Sequence, residues 1–281
     1  MNPLSASASR ITVSIVVHNS ALGLLRKTLL SLDRAAGFVV SGAISGLDVT
    51  IVDNGSAPTY QQQLTALLDE FSSRGELRID LLQLPVNLGF GAGHNRVLTG
   101  ATGCYFLVLN PDVELDPDAL ALGCRRLQED NSVVLLSPYA AGADGRQEFL
   151  CKREPSVLVL VLRAFFPGLG RRFFPGRMAK YEMSDVCAAD AEVVVPLASG
   201  CFMLARSAQL REVGGFDERY FLYFEDFDLS LRLGRLGAVV YMPQLRIIHH
   251  GGYAARKGWR HLQMFMSSGL RFFRQHGWRW I

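Results

Sequence analysis

Three acids stand close together in GGFDERYFLYFEDFDLSLRL, residues 214–233: Glu225, Asp226 and Asp228, framed by Phe221, Tyr223, Phe224 and Phe227. A carboxylate against an apolar wall has a raised pKa and suits a general base. The structural alternative is a helix start, where the macrodipole favours acids. A solvated helix start, however, needs no aromatic frame. A fourth acid, Asp112, follows the apolar run Tyr105–Leu109 in YFLVLNPDVEL. Five apolar residues ended by a proline predict a strand buried on both faces, with Asp112 just past its carboxyl end. Asp53 closes another apolar run, DVTIVD, where an acid in nucleotide-binding folds accepts hydrogen bonds from a ribose or base; the alternative is an Asx-type turn cap. His249 and His250 end the β-branched RIIHH before two glycines, which suits a metal or phosphate contact.

These residues need elements to hold them. Strands are predicted over 12–17, 48–53, 78–84 and 105–109, with helices over 21–36 and 59–73 and a short helix before Tyr105. Strands alternating with helices of this length mean an α/β fold of parallel βαβ units. Right-handed crossovers then bring the strands' carboxyl ends to one edge, and with them His18-Asn19, Asp53-Asn54, Asn87 and Asn110-Asp112. Ligands of open α/β sheets bind along that edge.

Gly89, Gly91 and Gly93 in NLGFGAGHN form a Gly-rich turn that lets backbone approach a ligand, but the spacing is not a dinucleotide fingerprint. A helix is expected over 117–130 and a strand over 133–137. The pattern then decays between about 140 and 190, where FFPGLGRRFFPGR reads as a basic, aromatic loop or lid suited to phosphates or a membrane surface. Ser199-Gly200-Cys201 interrupts the apolar stretch Val193–Arg206, and a glycine there marks close approach of a ligand or another backbone. In the C-terminal stretch 253–281, Arg256, Lys257, Arg260, Arg271, Arg274 and Arg279 alternate with Trp259, Phe265, Phe272, Phe273, Trp278 and Trp280. That pattern suits a helix resting on anionic lipid, or equally one packed on the domain with its arginines in water.

Composition sets limits. A net charge of +3 and the lack of a long basic run in the first 250 residues point away from nucleic acid. Five scattered cysteines without a C-x-x-C pair suit buried thiols in a reducing compartment. The longest apolar run, Val157–Leu162, is far below the ~18 to 20 residues of a membrane span, and MNPLSASASR lacks a signal-peptide core. The expected location is cytoplasmic, soluble or peripheral on the plasma membrane.

Seven segments in order, SIVVHNS, TIVDNGS, NLGFGAGHN, LNPDVEL, SGCFMLAR, GGFDERYFLYFEDFDLSLRL and IHHGG, resemble the family 2 inverting glycosyltransferases of the GT-A fold, most closely their rhamnosyltransferase-like branch. The resemblance covers about residues 11–255. It implies a Rossmann-like, mainly parallel sheet in one domain over 10–255, with a nucleotide-sugar half (10–115), a catalytic half (190–255) and a separate C-terminal helix (256–281). It implies donor contacts from Val17, His18, Asn19, Asp53, Asn87, Gly91, Asn110, Asp112 and Gly200. Asn110-Pro111-Asp112 matches the D-x-D position, so Asp112 would hold Mg²⁺ or Mn²⁺ on the diphosphate, with His249 completing the site. Asp226, beside Glu225, matches the base that deprotonates the acceptor hydroxyl. His18 replaces a common aromatic, and Asn110 removes one carboxylate. The implied reaction moves a sugar, L-rhamnose foremost, from a dTDP- or UDP-sugar to a bacterial surface glycan or lipid-linked precursor. Two other classes compete: a nucleotidyltransferase that makes nucleotide sugars, disfavoured because VVHNS stands where its phosphate loop would be, and a non-catalytic sugar-nucleotide-binding protein.

Overall fold

A computed structural model of the chain describes residues 9–40, 44–72, 77–188, 190–251 and 258–281. The first half alternates as its periodicity predicts: β1 (Ser9–Val17), α1 (Leu22–Val40), β2 (Ile44–Asn54), α2 (Pro58–Ser72), β3 (Arg78–Leu84), α3 (Phe90–Gly100) and β4 (Tyr105–Leu109). Then come β5 (Val113–Leu115), α4 (Ala119–Glu129), β6 (Val133–Gly142) and β7 (Gln147–Glu148). Three short helices follow, α5 (Val157–Phe165), α6 (Pro167–Phe173) and α7 (Pro175–Glu182). The chain continues through β8 (Val193–Val194), β9 (Phe202–Arg206), α8 (Ser207–Glu212), α9 (Glu225–Leu233), β10 (Ala238–His249) and α10 (Trp259–His276).

The strands form one sheet in the order β3-β2-β1-β4-β9-β6-β10-β5, with β7 added to β6 and β8 to β10. β3, β2, β1 and β4 are parallel; β9 runs antiparallel between β4 and β6; β6 and β10 are again parallel. The sheet therefore runs unbroken through both halves of the chain. All five residues of β4 are buried, and their alternation divides the core. Tyr105, Leu107 and Leu109 pack with α1, α2 and α4 on one face; Phe106 and Val108 pack with α3, α8 and α9 on the other. Each such fully buried apolar side chain contributes ~1.5 to 3 kcal/mol.

Two expectations are corrected here. Residues 140–190 are not a loop: each Pro-Gly pair opens a helix, because proline fits the first helical turn, where its missing N–H has no partner to lose. The glycines of NLGFGAGHN are not a free turn either, since α3 begins at Phe90. Four cysteines are buried and Cys104 is exposed. Among the described residues, no helix is long and apolar enough to cross a membrane. Arg256 and Lys257 lie outside the described residues.

Candidate active site

The carboxyl edge of the sheet opens into a cavity of about 760 Å³ lined by His18, Asn54, Asn87, Asn110 and Asp112, with Phe221 and α10 residues on the far side. Hydrogen bonds tie its rim together. His18 Nδ1 bonds the Asn54 carbonyl at 3.0 Å, and the Asn54 amide donates to Asn87 Oδ1 at 3.0 Å and the Gly89 carbonyl at 2.9 Å. Asn19, at φ 50°, accepts from the Ala57 N–H through its Oδ1, while its own N–H donates to Ser56 Oγ. The ends of β1, β2 and β3 are thereby fixed to one another.

Several residues expected at the donor do other work. Asp53 is fully buried, accepting from the Ser56 N–H (3.1 Å) and Gln61 Nε2 (2.7 Å). It is a turn cap, and Asn54 is the strand-end residue that reaches the cavity. Val17 is buried in the core. Gly91 and Gly93 let α3 approach its neighbours: a Cβ would lie 2.6 Å from Phe216 Cβ and 2.8 Å from Val16 Cγ2, respectively. Gly200 is a close approach of another kind, since a Cβ there would stand 3.0 Å from the Phe90 ring.

The backbone at 199–201 joins the two halves of the site. The Asn110 N–H donates to the Cys201 carbonyl at 2.9 Å, and the Gly200 N–H donates to Asp226 Oδ2 at 3.0 Å. Asp226 Oδ1 also accepts from the Phe227 N–H at 2.9 Å. The Asn110-Pro111-Asp112 segment and Asp226 thus hang from adjacent residues, Cys201 and Gly200, although they are far apart in sequence.

The three acids divide into three roles. Asp228 is fully buried and structural, bonded to Arg232 Nε and His276 Nε2, each at 2.8 Å. Glu225 is buried with Oε2 lacking a hydrogen-bond partner, and burial together with the Asp226 charge holds its carboxyl well above the usual range. Asp226 is also pushed up by burial, against the backbone N–H donors that favour its charge. It borders a second cavity of about 280 Å³ shared with Glu225, Lys152, Arg163 and Tyr223. Burial brings the Lys152 ammonium down to about 8, with Arg163 adding to the effect.

The segment before Asp226 is strained. Tyr223 (φ 71°) and Phe224 (φ 67°) both occupy left-handed backbone, which costs about 1 to 3 kcal/mol per bulky residue and persists only where surroundings enforce it. Here α10 enforces it. Ser268 Oγ donates to the Leu222 carbonyl at 2.8 Å, Tyr223 Oη meets His261 Nδ1 at 3.0 Å, and the Phe224 and Phe272 rings pack 5.4 Å apart. The C-terminal helix is packed on the domain: Trp259, Arg260, His261 and Met264 line the main cavity.

At the other end of the edge, His249 Nε2 lies 3.8 Å from Asp112 Oδ1, a buried oxygen without a hydrogen-bond partner. His249 Nδ1 is held by Glu148 Oε2 at 2.7 Å. His250 turns away, its Nε2 bonded to Glu114 Oε1 at 2.6 Å. Sequence reasoning missed Glu148, Lys152 and the α10 wall. Glu148 sits on a two-residue strand with no pattern to betray it, whereas the α10 residues stood out by composition but not by position.

A mainly parallel sheet with Asp112 and Asp226 brought to one edge is the architecture of GT-A glycosyltransferases, and solved structures agree on the fold. The mannosyltransferase PcManGT from Pyrobaculum calidifontis, in complex with GDP-Man and Mn²⁺, superposes with a TM-score of 0.60 at 18% identity, over 95% of this chain and 66% of that one. S. aureus TarS 1–349 in complex with UDP gives 0.56 at 17% identity, over 94% and 72%. The chain belongs to glycosyl transferase family 2, whose family model matches residues 12–189. It is 29% identical over 250 residues to the N-acetylglucosaminyl-diphospho-decaprenol L-rhamnosyltransferase of Mycobacterium tuberculosis, spanning 83% of this chain and 76% of the relative. It is 26% identical over 203 residues to the rhamnosyltransferase WbbL of Escherichia coli, spanning 68% and 70%. The protein is a glycosyltransferase.

Proposed function

We propose that the protein transfers L-rhamnose from a nucleoside-diphosphate donor, dTDP-rhamnose foremost, to a hydroxyl of a lipid-diphosphate-linked sugar, with inversion. The two rhamnosyltransferase relatives support the sugar, and the M. tuberculosis relative's name supports the acceptor. The donor occupies the cavity along the β1–β4 edge. Asp226, which borders the second cavity, takes the acceptor proton, a role worth about 10² to 10⁴ in rate. Lys152 and Arg163 in that second cavity offer cations to the acceptor's diphosphate. The observation that carries the reading is the hydrogen bond from Gly200 to Asp226 beside that from Asn110 to Cys201, which fixes base and donor segment in one frame.

Asp112 and His249 fit a divalent cation. The orphaned Asp112 Oδ1 and His249 Nε2, 3.8 Å apart, are the residues that would hold one divalent cation, and Mn²⁺ accepts such an oxygen–nitrogen pair. No cluster of three protein ligands occurs among the described residues, so diphosphate oxygens and water would complete the shell. When bound, the cation neutralises charge on the departing diphosphate.

The test is a thermal-shift series with dTDP, UDP and GDP, each with and without Mn²⁺, followed by transfer from the donor sugar of whichever nucleotide binds. A ligand at 100 times its Kd stabilises by ~2.7 kcal/mol. A Mn²⁺-dependent shift with dTDP and rhamnosyl transfer to a lipid-diphosphate sugar are the expected results. A shift with GDP alone, or none, rules this donor out.

A further inference from the structure

We infer that the face built by α5, α6, α10 and the C-terminal tail is a docking surface for an anionic lipid bilayer, independent of which sugar the enzyme transfers. The two segments involved are remote in sequence yet continuous in space. The Val157 N–H donates to the Arg279 carbonyl at 2.7 Å, and the Leu158 N–H to the Trp280 carbonyl at 3.1 Å. The tail is thereby stitched to the first turn of α5. Trp278 stacks on Phe273 at 5.3 Å and Trp280 on Trp278 at 5.0 Å, continuing the aromatic surface outward from α10.

This face exposes side chains that water disfavours. Phe166, Leu169 and Phe173 project from the α5–α6 corner at 51%, 54% and 63% exposure, and Met266, Leu270 and Trp280 from α10 and the tail. Between α5 and α10 lies an apolar groove bordered by Val161, Phe165, Met266 and Trp278. Contiguous apolar surface of this kind marks an interaction site.

The charge pattern selects the occupant. Pro155–Tyr181 and Leu229–Ile281 contain no Asp or Glu, although the whole chain carries 26 acids against 29 Lys and Arg. Within them Arg171, Arg172, Arg177 and Lys180 lie on α6 and α7 and Arg271 and Arg274 on α10, interleaved with the aromatics. Arginine and aromatic side chains together, in excess over carboxylates, match the interfacial layer of an anionic membrane, where rings sit at headgroup depth and each cation is attracted by lipid phosphate. The acids that border the face, Glu154 and Glu182, are paired with Arg279 and Arg163, which leaves Arg171, Arg172 and Arg274 as an excess of positive charge. The groove also meets the Asp226 cavity, since Leu160 and Phe265 border both. A bilayer on this face would lie beside the catalytic base.

The experiment is co-sedimentation of the full chain with vesicles of phosphatidylcholine, with and without phosphatidylglycerol, alongside sedimentation velocity without lipid. Two paired variants are used, Phe166→Ala with Phe173→Ala and Arg171→Glu with Arg172→Glu. All four residues are exposed and outside the catalytic cavities, and an unchanged melting temperature establishes that each pair folds. The wild-type chain is expected to bind the anionic vesicles, not the neutral ones, and to be released by salt. Each pair should weaken binding by at least about tenfold. The inference is overturned by absence of binding, by equal binding to neutral vesicles, or by variants that bind as wild type. It is also overturned if the chain is a lipid-free dimer that both pairs dissociate, which would make a second copy the occupant.

Discussion

Asp112 Oδ1 and His249 Nε2 face each other at 3.8 Å across the edge where β5 pairs with β10. Neither is a good partner for the other at that distance, yet Glu148 holds the far nitrogen of His249 at 2.7 Å and so directs the near one at Asp112. A carboxylate behind a histidine commonly orients it toward a metal. Mn²⁺ affinity measured by electron paramagnetic resonance, with nucleoside diphosphate present, should therefore collapse in Asp112→Asn and His249→Ala. In Glu148→Gln it should fall about ten- to a hundredfold. Unaltered affinity in all three would remove the cation from this edge.

Asp226→Asn should lower the transfer rate about 10² to 10⁴-fold while the donor-induced thermal shift persists, because the side chain lies outside the donor cavity. The base works deprotonated, and burial raises its carboxyl above the usual value of 3.8. The acid limb of kcat against pH should accordingly fall above the ordinary aspartate range. A limb at the ordinary value would mean that Asp226 is solvated during turnover.

Two buried groups give stability opposing pH dependences. His94 bonds Ser14 Oγ at 2.8 Å, and burial lowers its imidazole from 6.5 to about 3. Between those values the unfolded chain binds the extra proton, so stability drops as pH falls, by up to about 1.4 kcal/mol per pH unit. Glu225 is raised above 4.5, so there the folded chain holds the extra proton and stability drops as pH rises. In melting curves, His94→Gln should flatten the acid limb. The advantage of Glu225→Gln over wild type should grow above pH 4.5. Parallel wild-type and variant profiles would refute each assignment.

Gly89→Ala should destabilise by about 2 kcal/mol or more, because Gly89 has φ 95° and its Cβ would lie 2.5 Å from the Phe221 carbonyl oxygen. That oxygen accepts the Phe90 N–H, so donor affinity should weaken as well. Gly23→Ala is the counterpart: it lies within α1 with open space around it and should stabilise by about 0.5 to 1 kcal/mol. Equal melting temperatures for the two variants would contradict the close approach at Gly89.

Much of the fold was legible in residue pattern. β4 was readable because five apolar residues stop at Asn110-Pro111; its pairing with β1 and β9 covers both edges, and helices bury both faces. The parallel first half followed from alternating periods, and its polar strand ends do collect at one edge. The helices of 157–182 were hidden because Pro-Gly reads locally as a turn, and only the surrounding chain shows that each proline stands at a first helical position. Gly91 and Gly93 were legible as close approaches, but not what they approach.

By itself the sequence determined the chemistry available: which carboxylates and histidines exist, on which kind of element each lies, and that Asp226 is framed in aromatics. Those are local properties, set by side-chain type and by periods of 2 and 3.6 residues. Tertiary structure decided how the acids divide their roles. Asp228 became a buried latch because Arg232 and His276 reach it, and Asp53 became a turn cap because Gln61 does. Asp226 kept access to a cavity, held by a peptide N–H contributed from 26 residues away. The Arg232 and Gln61 contacts are local, but His276 reaches Asp228 from 48 residues away and Gly200 reaches Asp226 from 26, and no local pattern encodes contacts that long-range packing creates.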